Sequence, residues 1–201
     1  YAVTRDSSNG WTIYQNGVSQ TTATDSTSLG ANGVSQTFSY TGANDWHRVQ
    51  AVGASTSSGC NDSSTAKNQV SAKSYVDSIG NTCGVTVYDW DISSIPSGVT
   101  VTDVKLRMDV LSVGTPRDCS VVQITDNITS ASASTLWTSA TTGTEYVTND
   151  STCTTTGNDK VIDLGTTADS FLTSTTDSKF AIALRQTNMI PDSTEHMAML
   201  T

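Results

Sequence analysis

Apolar and polar positions alternate with a period of two along much of the chain, and the longest such run covers residues 84–113. Val85, Val87, Tyr88, Trp90 and Ile92 supply β-forming side chains before a Ser93-Ser94-Ile95-Pro96-Ser97-Gly98 turn. Beyond it, Thr102, Val104, Leu106, Met108 and Val110 fall on one side, and Asp103, Lys105, Arg107 and Asp109 on the other. Opposite chemistry on successive residues marks a half-buried antiparallel strand, so this stretch predicts a hairpin around which the sheet is organised. The same reasoning predicts strands at 11–15, 36–40, 46–52, 69–77, 119–124, 160–164 and 179–186, with short edge strands at 135–138 and 145–148 and a last strand-like piece at 195–200. The cleanest is 179–186, with Phe180, Ile182 and Leu184 inward and Lys179 and Arg185 outward. Turns are predicted at 41–44 and 78–83, and loops at 53–68, 125–134 and 149–159.

Helical periodicity is almost absent. Ala168, Phe171 and Leu172 suggest one helical turn, and a helix is the alternative to the strand at 69–77. About ten short strands punctuated by turns predict an all-β antiparallel β-sandwich with at most one short helix. One domain over 1–201 is expected, with 53–68 as the best sub-boundary. An exact repeat, Asn16-Gly17-Val18-Ser19-Gln20-Thr21 and Asn32-Gly33-Val34-Ser35-Gln36-Thr37, places an Asn-Gly hairpin signal twice. Two copies read as two similar turns and do not make a solenoid.

Composition narrows the classes. Ser and Thr make up roughly a third of the 201 residues. Ten Lys and Arg against 19 Asp and Glu give a net charge of -9. Phosphate neutralisation and anionic membranes both call for a basic surface, so neither nucleic acid nor membrane is an expected partner. No apolar run approaches the ~18 residues that span a bilayer. The sequence opens at Tyr1 rather than Met, which suggests a processed form.

Cys60, Cys83, Cys119 and Cys153 include no C-x-x-C pair, and the two His lie far from them. Zinc ligation is therefore disfavoured, and an even number of separated cysteines fits two disulfides. Pairing of sequence neighbours, Cys60–Cys83 and Cys119–Cys153, would close loops of roughly 20–35 residues, each worth about 3 kcal/mol; the alternative is four buried thiols. N-x-S/T sequons begin at Asn61, Asn127 and Asn149. With the cysteines they point to an exported, glycosylated, extracellular protein.

Three segments resemble the DNRLRE-type jelly-roll modules of microbial and archaeal surface proteins. They are Tyr88 to Leu106 (YDWDISSIPSGVTVTDVKL), Lys160 to Leu164 with the helix-like turn after it, and Lys179 to Arg185, lying within about residues 84–190. The resemblance implies a jelly-roll-like sandwich at the cell surface, adhesive or carbohydrate-associated. Two features depart from it. The first 80 residues have no counterpart, and the family closes with a further apolar strand where this chain has only His196-Met197-Ala198-Met199-Leu200-Thr201 after Glu195.

Catalytic chemistry finds little support. His47 and His196 are the only histidines, no G-x-S-x-G elbow occurs, and Glu145 and Glu195 stand in unremarkable surroundings. An enzyme is not predicted and no cofactor is expected. Calcium is the one ion the acidic loops suit: Asp89 and Asp91 share a strand face, and Asp150, Asp159 and Asp163 lie near another loop. A solvated acidic rim is the simpler reading of those carboxylates. Trp11, Tyr14, Tyr40 and Trp46 would be either core plugs or a platform for surface glycans.

These readings converge on a structural or adhesive protein that assembles with itself into a cell-surface filament or surface layer. A sandwich short of one strand exposes unpaired backbone, and a neighbouring copy can fill the gap. The donor segments would be Tyr1, Ala2, Val3 and Thr4, or His196, Met197, Ala198, Met199 and Leu200. The rival classes are a carbohydrate-binding module of a secreted protein and a viral fibre or decoration domain.

Overall fold

A computed structural model of the chain describes residues 2–5, 10–15, 18–24, 35–38, 46–52, 64–68, 74–79, 82–114, 116–187 and 198–200. The chain forms two compact units, Tyr1–Thr37 and Phe38–Thr201. The first holds β1 (Ala2–Arg5), β2 (Gly10–Gln15) and β3 (Val18–Thr24) in an antiparallel meander. Strands β2 and β3 meet at Gln15↔Val18, so Asn16-Gly17 is all that joins them, as expected of a two-residue hairpin. In the second copy of the repeat, Ser35–Thr37 and the following Phe38 belong to no strand, where a strand was predicted at 36–40; Asn32, Gly33, Val34, Ser39 and Tyr40 lie outside the described residues.

The second unit contains β4 (Trp46–Val52), β5 (Ser64–Asn68), β6 (Ser74–Ile79), β7 (Thr82–Asp91), β8 (Lys105–Val113), β9 (Cys119–Ile124), β10 (Glu145–Asp150), β11 (Gly157–Asp163), β12 (Lys179–Gln186) and β13 (Ala198–Leu200). Helices α1 (Ala133–Thr142) and α2 (Gly165–Ser174) interrupt them. Every strand pairing is antiparallel, in the order β10-β9-β12-β7-β6-β13-β8-β11, with β4 on the other edge of β7 and β5 on β4. Because β4 and β5 pair with each other, residues 53–68 do not separate two bodies.

The predicted hairpin over 84–113 is overturned. Strand β7 pairs with β12, β4 and β6, and β8 pairs with β11 and β13, but β7 and β8 do not pair. Residues 92–104 form an arch instead. Its backbone is held by Ser93 N–H to Asp91 Oδ1 (2.8 Å), Val101 N–H to Thr173 Oγ1 (2.9 Å) and Leu164 N–H to Val104 O (2.9 Å). The two strands face one another across the core. Strand β6 links the layers: Asp77–Ile79 pair with β7, and Ser74–Val76 with β13. Of the turn predicted at 78–83, Ser78 pairs with Cys83 and Ile79 with Thr82 as strand residues, and 80 and 81 lie outside the described residues.

Between the layers, Val121, Phe180, Ile182 and Leu184 meet Met108, Val110 and Ile162, with Ile92, Leu164, Ala168, Cys119 and Cys153 completing the cluster. Burying one such aliphatic side chain contributes about 1.5–3 kcal/mol. The arrangement is sandwich-like, but the sheet has a second buried face. There, Cys83, Val85, Val87, Val122, Ile124, Ala181 and Ala183 lie against Leu136, Trp137 and Ala140 of α1. That explains why β12 is buried nearly throughout instead of alternating. The short Ala181 and Ala183 side chains leave room for the helix.

Two helices replace the single short one expected. The predicted edge strand at 135–138 lies inside α1, because Leu136, Trp137 and Ala140 recur at helical spacing onto an apolar sheet face. Ser132 caps the helix by accepting Thr135 N–H at 3.1 Å. At its other end Gly143 donates to Ser139 O, and a Cβ there would lie 2.4 Å from that oxygen. The one turn predicted at 168–172 extends into α2, with Ala168 buried and Phe171 and Leu172 against the core.

Candidate functional site

The unusual part of the sheet is β8. It is an interior strand, with β11 along one edge from Lys105 to Val110. Along the other edge β13 pairs only at Val110 and Val113. Among the described residues, no strand pairs with Lys105–Asp109 on that side. Interior strands normally satisfy their backbone donors and acceptors on both edges, so among the described residues this is the edge whose pairing is incomplete. Tyr88, Trp90, Ile95, Val104 and Leu106 pack against the core while staying partly exposed, and the Tyr88 and Trp90 rings stack at 5.8 Å.

The two predicted donor segments have different fates. Ala198, Met199 and Leu200 lie within β13, between β6 and β8 of their own chain; His196 and Met197 lie outside the described residues. Ala2, Val3 and Thr4 lie in β1, paired with Tyr14, Ile13 and Thr12, and Tyr1 lies outside the described residues.

Asp89 and Asp91 occupy neighbouring positions on one face of β7, but the fold gives them a basic partner. Asp89 is only 3% exposed, and its Oδ2 accepts from Lys179 Nζ at 2.6 Å. Its Oδ1 has no hydrogen-bond partner. Asp91 is exposed; its carboxylate is held below its ordinary pKa by hydrogen bonds from the Ser93 side chain and backbone. Calcium takes 6–8 oxygens, and two carboxylates already engaged by Lys179 and Ser93 fall well short. The other candidate carboxylates are turn and strand braces. Asp150 Oδ1 accepts Thr152 N–H (2.7 Å), Asp163 Oδ1 accepts Gly165 N–H (2.8 Å), and Asp159 lies 3.6 Å from Arg107. Among the described residues, no group of three or more His, Cys, Asp or Glu could hold a metal ion.

Cys119 and Cys153 are joined by a disulfide with Cα atoms 5.9 Å apart, buried in the main core. Cys83 is also disulfide-bonded, while Cys60 lies outside the described residues. Asn127 and Asn149 are exposed; Asn61 lies outside the described residues. Asn127 Oδ1 accepts the N–H groups of Thr129 and Ser130 (3.0 and 3.1 Å), and Asn149 has a positive φ of 57°. Of the aromatic platform, Trp11, Tyr14 and Trp46 fall in β2 and β4, and Tyr40 lies outside the described residues.

Two ionic contacts were not predicted. Lys179 and Arg185 both looked like plain solvent-facing residues of an alternating strand. Lys179 reaches buried Asp89 across β7, and Arg185 pairs with Glu145 at the β10 edge. The signal was a basic residue at each end of the most apolar strand; its partner depends on which strands become neighbours. No helix of the described residues is long and apolar enough to cross a membrane. No protein-family model matches the chain, and no curated protein matches it in sequence.

Proposed function

We propose that this protein is an extracellular structural subunit, built on a jelly-roll-like sandwich, that polymerises by donating a β-strand from one copy to the next. The observation that carries this reading is that, among the described residues, no strand pairs with Lys105–Asp109 on the β13 side of β8. A strand from a second copy would satisfy that backbone. Both candidate donors pair within their own chain; the donor in this reading is the N-terminal segment, which exchanges its pairing with β2 for one in the next copy. Units under about 40 residues seldom hold together without disulfides, metals or a partner. The Tyr1–Thr37 unit contains no cysteine and would gain from docking onto a larger body. A contact between unlike surfaces does not close on itself, and so gives a fibre. Exposed Asn127 and Asn149 suit glycosylation of its surface.

The test is negative-stain microscopy and sizing chromatography of the full chain and of a variant lacking residues 1–5. The full chain should form long polymers and the truncated one a soluble monomer. Oxidising a mixture of Val3→Cys and Arg107→Cys variants should give a crosslinked dimer. Polymers from the truncated chain would remove the N-terminus as donor. A 21.1 kDa full-length monomer that binds immobilised glycans would replace this reading with that of a carbohydrate-binding module.

A further inference from the structure

Asp89 is the sole charged residue among the buried polar side chains described; the others are Thr86, Ser120 and Gln186. A buried carboxylate is ordinarily tolerated when a counter-charge and hydrogen bonds occupy all its lone pairs. Asp89 meets half of that condition. Lys179 Nζ lies 2.6 Å from Oδ2, while Oδ1 is buried with no partner. Lys179 itself reaches in from solvent, with its side chain 47% exposed. The two groups are held in place by unbroken pairing of β12 with β7 from Lys179↔Asp91 to Leu184↔Thr86. Fixing two reactants in this way supplies the orientation that a free amine and acid lack.

We propose that Lys179 and Asp89 condense to a side-chain amide, a covalent crosslink between the two central strands. One ammonium proton passes from Lys179 Nζ to Asp89 Oδ2 along their 2.6 Å contact, giving the neutral amine and carboxylic acid that the condensation consumes. The nitrogen attacks Asp89 Cγ and the C–N bond forms. The C–OH bond then breaks, and the departing hydroxyl takes a second proton from the nitrogen. Asp91, the register partner of Lys179, is placed to relay that proton. The ammonium and the carboxylate are thereby converted into one amide and one water, with no oxidant or reductant. The product removes both charges, and the buried oxygen that remains is a neutral carbonyl. The crosslink joins positions 90 residues apart in sequence and ties the arch end of β7 to the start of β12. It needs no strand donation, so it stands or falls separately from the assembly reading.

Intact-mass measurement of the reduced, folded full chain tests this directly. The expected mass is about 18 Da below that of the sequence, for one water lost, and a tryptic digest should contain a branched peptide linking the two strands. Lys179→Arg keeps the cation but cannot form this amide, and should show its full sequence mass. Asp89→Asn would lose ammonia instead of water and give the same crosslinked mass as the wild-type chain. Near-ultraviolet circular dichroism confirms that each protein is folded. A folded wild-type chain at its full sequence mass overturns the proposal and leaves Asp89–Lys179 an ordinary ion pair.

Discussion

Removing the Cys119–Cys153 crosslink probes what holds the β9–β10 edge in place. The bond closes 34 residues, which include α1 and β10. Constraining a loop of that length in the unfolded chain contributes about 4 kcal/mol in the chain-entropy model. Both sulfurs also lie in the main core, so replacing them by alanine adds about 1 kcal/mol of lost packing. A Cys119→Ala/Cys153→Ala variant should therefore lose about 4–5 kcal/mol. For a unit the size of Phe38–Thr201, that lowers the melting temperature by about 10–20 °C. Urea denaturation of the variant against the oxidised wild type measures the loss without touching the disulfide at Cys83. Each single variant should lose as much as the double to within about 1 kcal/mol, because either one abolishes the same crosslink. The damage should also be local at first. Strand β10 meets β9 with two register shifts, between Glu145 and Val147 and between Val147 and Asp150, so hydrogen exchange should reach the β10 amides before those of β12. A loss below about 1 kcal/mol in the double variant would refute the reasoning, as would unchanged protection of β10.

Three further outcomes are expected. Ser132→Ala removes the α1 cap and should cost about 1 kcal/mol, read by chemical denaturation. Gly143→Ala should destabilise more than a surface Ala does elsewhere, since its Cβ would collide with the Ser139 carbonyl; a thermal melt checks this. The Tyr146 hydroxyl is buried without a partner, so Tyr146→Phe should be neutral or stabilising by up to about 1 kcal/mol. Burial pushes the Tyr146 phenol up to about 12, against about 10 in the unfolded chain. Its stabilising preference for the neutral form is full below pH ~10 and is lost as pH rises towards ~12. An alkaline series of melts should show that decline in the wild type and a smaller one in Tyr146→Phe.

What could be read from the sequence was the face each strand presents; what could not was its neighbour. β9 and β12 were placed to the residue because their apolar runs are bounded by polar ones. The same alternation in β7 and β8 looked like a hairpin, since two strands facing across a core carry the same pattern as two strands side by side. Helix α1 was read as a strand because its Ser and Thr residues favour extended backbone locally. Its helical form depends on the apolar sheet face beneath Leu136 and Trp137. At the candidate site, the Asp89-x-Asp91 pattern was visible, but the Lys179 partner of Asp89 was not. Burial of Asp89 follows from β7 being central, and Lys179 becomes its partner only through the β7–β12 register. The pairing of β8 was likewise illegible: nothing in Lys105–Asp109 itself records that, among the described residues, β13 meets this strand only at Val110 and Val113.

The position of β12 sets the order in which this molecule can fold. Strand β12 lies between β9 and β7, yet its residues leave the ribosome after those of every other strand in that layer. Until Lys179–Gln186 are made, β7 and β9 share no neighbour, and the apolar face that α1 covers is incomplete. Folding therefore waits on contacts between distant parts of the chain, which close slowly. Strands β4, β6 and β7 can pair as soon as they are made, but β9 joins their layer only once β12 is present.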